Sequence, residues 1–175
     1  MCSSLGKISK LMPVFILVKE YLYKYTVGCM SKLVMAFGSF DILHRGHLLY
    51  LNESKKLGDK LYVVVARDES IRMMKGKDPV FGEKDRLAVV GALKAVDNTI
   101  LGNRINSEAE RLRIIKKYKP DIIAFGYDQK INTKKTKEWL LKNGIKAEVV
   151  RITKRADPGK YKSSIARKKL NPKNT

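Results

Sequence analysis

From Lys32 onward the chain alternates short continuous apolar runs with longer amphipathic stretches. The runs KLVMAF (32–37), KLYVVVA (60–66), NTILG (98–102), DIIAFG (121–126) and KAEVVRI (146–152) have the length of single strands. Their largely unbroken apolar character predicts strands buried on both faces. Between them, HLLYLNESKKLG (47–58) places Leu48, Leu49, Leu51 and Leu57 at helical spacing and stops at Gly58. EKDRLAVVGALKAV (83–96) predicts a second helix. SEAERLRIIKKY (107–118) predicts a third, with Ser107 and Glu110 as a capping box and Pro120 beyond its end. TKKTKEWLLKNG (133–144) predicts a fourth, ended by Gly144, and SSIARKKL (163–170) a short last one. RDESIRMMKGKDPVFG (67–82), punctuated by Gly and Pro, reads as a loop.

Strand–helix alternation at these lengths predicts an α/β fold of about five parallel strands with helices on both faces. Ligands of such sheets bind beyond the carboxyl ends of the strands, near the switch in strand order. GSFDILHRGH (38–47), RDES (67–70) and GYDQ (126–129) each follow a strand, so these polar clusters should converge on one edge.

The first thirty residues break the pattern. Their apolar run LMPVFILV is too short to span a bilayer and is soon interrupted by Lys19, Glu20 and Lys24. Residues 1–30 therefore read as an extension upstream of a start at Met30, and 31–175 as one domain that begins with its first strand. The formal net charge of +20 points to polyanionic partners without choosing among nucleic acid, anionic membrane and phosphorylated small molecules. Cys2 and Cys29 lie upstream of the domain body, which leaves no disulfide framework or zinc cluster there and suits a reducing cytoplasm.

Both histidines of the chain, His44 and His47, fall in one turn, with Arg45 and Gly46 between them. Three readings compete. A metal could bridge the two imidazoles with help from Asp41, but catalytic zinc normally takes three protein ligands, and no third His or core Cys exists. A structural reading has His44 cap the helix and His47 pack beneath it. In the phosphate reading, Gly46 allows close backbone approach, and the helix N-terminus with two imidazoles binds an oxyanion and stabilises charge growing on a phosphate oxygen.

The stretch GSFDILHRGH resembles the GxFDxxHxGH signature of the small nucleotidyltransferases related to glycerol-3-phosphate cytidylyltransferase. The resemblance runs from about Lys32 to Leu170 and takes in VVARDES, the Lys-rich segment KGKDPVFGEKDRLAVVGALKAVD, GYDQ and YKSSIARKKL. Within that family, ARDES, ALKAVDNTILG, KPDIIAFGYDQ and the final Ser pair are most similar to the archaeal FAD synthases. Two departures stand out: RADPGKYKSS lacks the cysteines of those enzymes, and Ile165 replaces a third hydroxyl in the last Ser/Thr run.

The resemblance implies a Rossmann-like nucleotidyltransferase fold, cytoplasmic, joining ATP and FMN without membrane or nucleic-acid partners, and a possible homodimer. Ser39 and Phe40 would line the nucleotide pocket, His44, Arg45, Gly46 and His47 hold the triphosphate, and Asp128 face the adenosine. Tyr161, Ser163 and Ser164 would close the site. Lys75, Lys77 and Arg86 would form a flap over the phosphates, against the alternative of a merely solvated charge run. A divalent cation such as Mg²⁺ would arrive with ATP, since no acidic pair reads as a metal cage. The alternatives are a cytidylyltransferase acting on a small alcohol phosphate, and a catalytically silent nucleic-acid-binding module favoured by the charge alone.

Overall fold

The computed structural model describes residues 31–104, 108–157 and 165–167. Residues 1–30, the capping position Ser107, and the candidate site residues Tyr161, Ser163 and Ser164 lie outside the described residues. Strands β1 (Leu33–Gly38), β2 (Lys60–Val65), β3 (Asn98–Leu101), β4 (Ile122–Phe125) and β5 (Glu148–Arg151) form one sheet in the order β3-β2-β1-β4-β5. Every pairing is parallel. Helices α1 (Arg45–Lys55), α2 (Asp68–Lys75), α3 (Glu83–Gly91), α4 (Glu108–Tyr118) and α5 (Thr133–Lys142) fill the crossovers.

The two faces of the sheet build two cores. In β1, Val34 and Ala36 point to one side with Tyr50, Leu51 and Val90 of α1 and α3. Met35 points to the other, with Ile114, Ile115 and Leu140 of α4 and α5. Successive strand residues face opposite ways, so a strand covered on both faces is apolar at every position, which is the pattern the sequence carries. At the far edge, Asp59, Asp121 and Asp97 accept from the backbone N–H groups of Lys32, Leu33 and Leu61 and so finish the strand starts.

One expectation fails: residues 67–82 are not all loop, because Asp68–Lys75 is an eight-residue helix. Only Ser70 and Ile71 of α2 are buried, and with Gly76 and Pro79 following so short a helix the punctuation reads as loop. Gly76 ends it in the left-handed conformation (φ 63°), its N–H donating to the Arg72 carbonyl at 2.8 Å.

The strand order reverses between β1 and β4, and there the sheet splits. Their pairing ends at Ala36 opposite Ala124. Beyond it the Tyr50 hydroxyl enters the gap, donating to the Ala124 carbonyl at 2.8 Å and accepting from the Phe37 N–H at 3.3 Å. The Gln129 side chain bridges the next step, accepting from the Gly126 N–H at 2.9 Å and donating to the Phe37 carbonyl at 2.7 Å. Burial pushes the Tyr50 phenol up from its ordinary pKa, so it remains a protonated donor.

Replacing Tyr50 by Phe removes the bridge but little volume and leaves the half-buried Phe37 N–H and the buried Ala124 carbonyl short of a partner. The expected loss of unfolding free energy in urea is about 1–3 kcal/mol. A loss within experimental error would show that the hydroxyl is not what satisfies the split.

Candidate active site

At the carboxyl end of β1 the chain makes a tight reversal. Phe40 takes a left-handed backbone conformation (φ 47°), which non-glycine residues rarely adopt. Its ring folds back over Gly38 so closely that a Cβ there would meet ring carbons at 2.7 Å. Buried in this way, the ring presents its edge to His47, with centroids 5.2 Å apart. The strained turn thus sets an aromatic wall behind the imidazole.

His44 is the N-cap of α1, with extended backbone (φ −147°, ψ 168°) and Nδ1 accepting from the Gly46 N–H at 3.1 Å. A neutral His44 therefore carries its proton on Nε2. The His47 N–H donates to the His44 carbonyl at 2.9 Å. Two of the backbone N–H groups that the sequence reading offered to an anion are thus turned inward. Both imidazoles stand at this helix start.

The two rings stack, with centroids 3.8 Å apart and planes at 20°. His47 Nδ1 is buried and has no hydrogen-bond partner. Burial first, then the neighbouring His44 and the Lys75 ammonium, lower the His47 pKa to about 3. Burial also lowers His44, and the Asp128 carboxylate partly offsets this. Near neutral pH both rings are uncharged.

Lys75 reaches the site from the end of α2, its Nζ donating to Ser39 Oγ at 2.7 Å. The residue as a whole is exposed, but its ammonium lies over the turn, and loss of water there lowers its pKa. Lys77 and Arg167 press in the same direction, while Asp41 opposes them. Lys77 itself is exposed. Asp128, also exposed, stands near enough to His44 to act on its charge. The loop that carries it is held by Arg151, which donates to the carbonyls of Gly126 (2.8 Å), Gln129 (3.0 Å) and Ile131.

Arg86 is placed otherwise than a phosphate flap requires. It is 2% exposed, and its guanidinium donates to the carbonyls of Phe81 (2.9 Å), Ala66 (2.8 Å) and Ser39 and to Asp68 Oδ1 (2.6 Å). Arg86 ties three loops together from below. Asp41 does comparable work: Oδ1 accepts from the N–H groups of Val80 (2.6 Å) and Phe81 (3.2 Å), and Oδ2 binds Arg167. Burial alone would raise the Asp41 pKa, but these hydrogen bonds outweigh it and hold the carboxyl below its ordinary value. Arg167 also donates to the Asp78 carbonyl at 2.8 Å. Asp41, Gln129 and Arg167 all lie within the motifs noted in the sequence, but only the fold reveals what they bind.

His47 yields a pH test. Its folded pKa of about 3 lies below the ordinary 6.5, so between those values the unfolded chain binds the extra proton. The contribution is complete above pH 6.5 and is lost as pH falls, by at most about 1.4 kcal/mol per pH unit. In the ligand-free protein, NMR titration should find His47 neutral at pH 5, and His47→Ala should flatten the fall of stability between pH 6.5 and 4. A His47 that titrates near 6.5 would contradict the burial described.

The profile of the cytidylyltransferase-like family matches residues 35–169. The FAD synthase of Thermoplasma volcanium is 49% identical over 137 residues, covering 78% of this chain and 92% of that protein. The FAD synthase of Ferroglobus placidus is 49% identical over 126 residues, 72% of this chain and 79% of that one. Among solved structures, one described as the lipopolysaccharide core biosynthesis protein of Thermoplasma volcanium superposes with a TM-score of 0.66 at 48% identity, covering 72% of this chain and 99% of its own. The pantothenate synthetase of Thermus thermophilus, 17% identical with a TM-score of 0.54 over 79% of this chain and 64% of its own, shares the fold alone. A stacked histidine pair at a helix start beside the β1–β4 split, on a chain this similar to those relatives, settles the assignment: the protein belongs to the cytidylyltransferase-like family of nucleotidyltransferases.

Proposed function

We propose that this protein transfers the AMP moiety of ATP to FMN, giving FAD and pyrophosphate. What carries the reading is its 47–49% identity to archaeal FAD synthases over most of both chains. The site geometry supports it, because the stacked imidazoles, Lys75 and Lys77 gather donors and positive charge where a polyphosphate would lie.

In this reading a phosphate oxygen of FMN attacks the α-phosphorus of ATP in line. The bond to the bridging oxygen breaks, and pyrophosphate leaves with the electron pair. His44 and His47 donate hydrogen bonds to the phosphate oxygens on which charge builds. Both rings are neutral in the ligand-free site, and the arriving triphosphate shifts them toward the protonated form by direct attraction. Ser39, Phe40, Arg45 and Gly46 shape the phosphate end, and Asp128 stands on the adenosine side. Lys75 and Lys77 neutralise the departing pyrophosphate, and Arg86 positions the turn on which Ser39 sits. Tyr161, Ser163 and Ser164 complete the reading from the sequence.

The acids beside the site do not fit a metal cage. Both oxygens of Asp41 are engaged by the protein, and among the described residues no group of three His, Cys, Asp or Glu could hold an ion. The divalent cation is therefore assigned to ATP, which brings it. No helix among the described residues is long and apolar enough to cross a membrane. ATP and FMN as substrates support a cytoplasmic setting for the reaction.

With ATP, FMN and Mg²⁺ the protein should form FAD, separable by chromatography, together with pyrophosphate. His44→Ala or His47→Ala should lower kcat by about a hundredfold or more, with smaller changes in the KM for ATP and an intact fold by circular dichroism. Near-normal rates in both variants would make the imidazoles structural. Reaction of CTP with glycerol 3-phosphate but none with FMN would keep the site and overturn the substrate.

A further inference from the structure

Of the eight large apolar residues exposed in the described chain, four lie within residues 73–81: Met73 (63%), Met74 (59%), Val80 (44%) and Phe81 (49%). Met74 is the most informative of them. It stands three residues after Ile71 and four after Ser70, so it shares the inward face of α2 with two side chains that are each 1% exposed. An inward helix face left open at its last turn is a face that the described fold does not cover. Lys75, next in sequence, fixes this open end over the site, since its ammonium reaches Ser39 on the turn before Phe40 and the histidine pair. Lys77 follows across Gly76.

A ligand suited to this segment has a broad apolar face at one end and a phosphate at the other. We propose that Met74 seats the flat isoalloxazine ring of the acceptor, while Lys75 and Lys77 meet its phosphate. Thioether side chains are unbranched and polarisable and pack readily against aromatic rings. A small alcohol phosphate has no comparable surface to bury, so the seat separates a flavin acceptor from that class. ATP does not compete for it, because its adenosine is assigned to the side of Asp128. The seat rests on the reading of FMN as acceptor. It adds the residues that choose FMN, and accounts for apolar exposure in a protein otherwise rich in surface charge.

The test measures initial rates of the full chain with varied FMN at saturating ATP and Mg²⁺, with riboflavin as a competitive inhibitor that probes the ring without its phosphate. Met74→Gln should raise the KM for FMN and the Ki for riboflavin by about tenfold, with the KM for ATP unchanged and kcat at saturating FMN within about twofold. Met74→Leu, which keeps an apolar side chain, should stay near wild type. Because Met74 is exposed, neither change disturbs the core. An unchanged KM and Ki in an active Met74→Gln protein overturns the seat alone. A rise confined to the KM for ATP also overturns it, by placing adenine there. So does a drop in mass by light scattering with both constants kept, which would make the occupant a second copy of the chain. A wild type that forms no FAD from FMN overturns the proposed reaction itself, and the seat with it.

Discussion

Parting β1 from β4 is the constraint on which the site depends. Two parallel strands that stayed paired to their ends would leave no crevice, and two that separated unaided would strand buried backbone groups. Here the gap is held by Tyr50 and Gln129, which together satisfy the Phe37 N–H and carbonyl, the Ala124 carbonyl and the Gly126 N–H. The same side chains locate the chemistry. Tyr50 lies one helical turn beyond His47 on α1, so anchoring its hydroxyl in the sheet fixes how deeply the histidines sit. Gln129 follows Asp128, so anchoring its amide fixes the loop that faces His44 from the other strand. Opening the sheet and aiming the site are one set of hydrogen bonds.

A second polar centre supports the opposite wall. A buried guanidinium is costly unless its donors are satisfied, and Arg86 finds carbonyls at the ends of three different segments together with the Asp68 carboxylate. That arrangement locks the Ser39 turn, the start of α2 and the approach to α3 to a common point. Asp41 then ties residues 80 and 81 to Arg167. Gly76 and Lys77 lie exposed between these anchors.

The sheet was legible because burial on both faces writes itself into continuous apolar runs, and the central helices because one face must match them. Helix α2 escaped because it is only eight residues long, buries only Ser70 and Ile71, and is followed by Gly76 and Pro79, which read as loop punctuation. The histidine pair was legible as a motif, and the fold places it at the switch in strand order. Arg86 was misjudged for a physical reason: beside a run of lysines, its sequence context is that of a solvated flap, and nothing local records that a guanidinium is buried. Tyr50 and Arg151 went unread because they bond to carbonyls and an N–H group, which every residue carries, and Arg167 because its carboxylate partner Asp41 lies far away in sequence. Side chains that serve the backbone leave no compositional trace.

The charge of the ligand-free site follows from the same packing. Stacked imidazoles cannot both hold a proton with Lys75 beside them, and burial behind Phe40 removes the water that would stabilise even one. The protein therefore keeps its positive charge on lysines at the rim and leaves the centre neutral. The net charge of +20 draws polyanions toward such a cleft over several ångströms without discriminating among them. Discrimination begins only when an oxyanion reaches the centre, where it supplies the attraction that lets buried rings donate and accept protons. In the proposed reaction that attraction is greatest as the pyrophosphate bond breaks, so neutral histidines in the resting site are positioned to respond to the transition state more than to bound ATP.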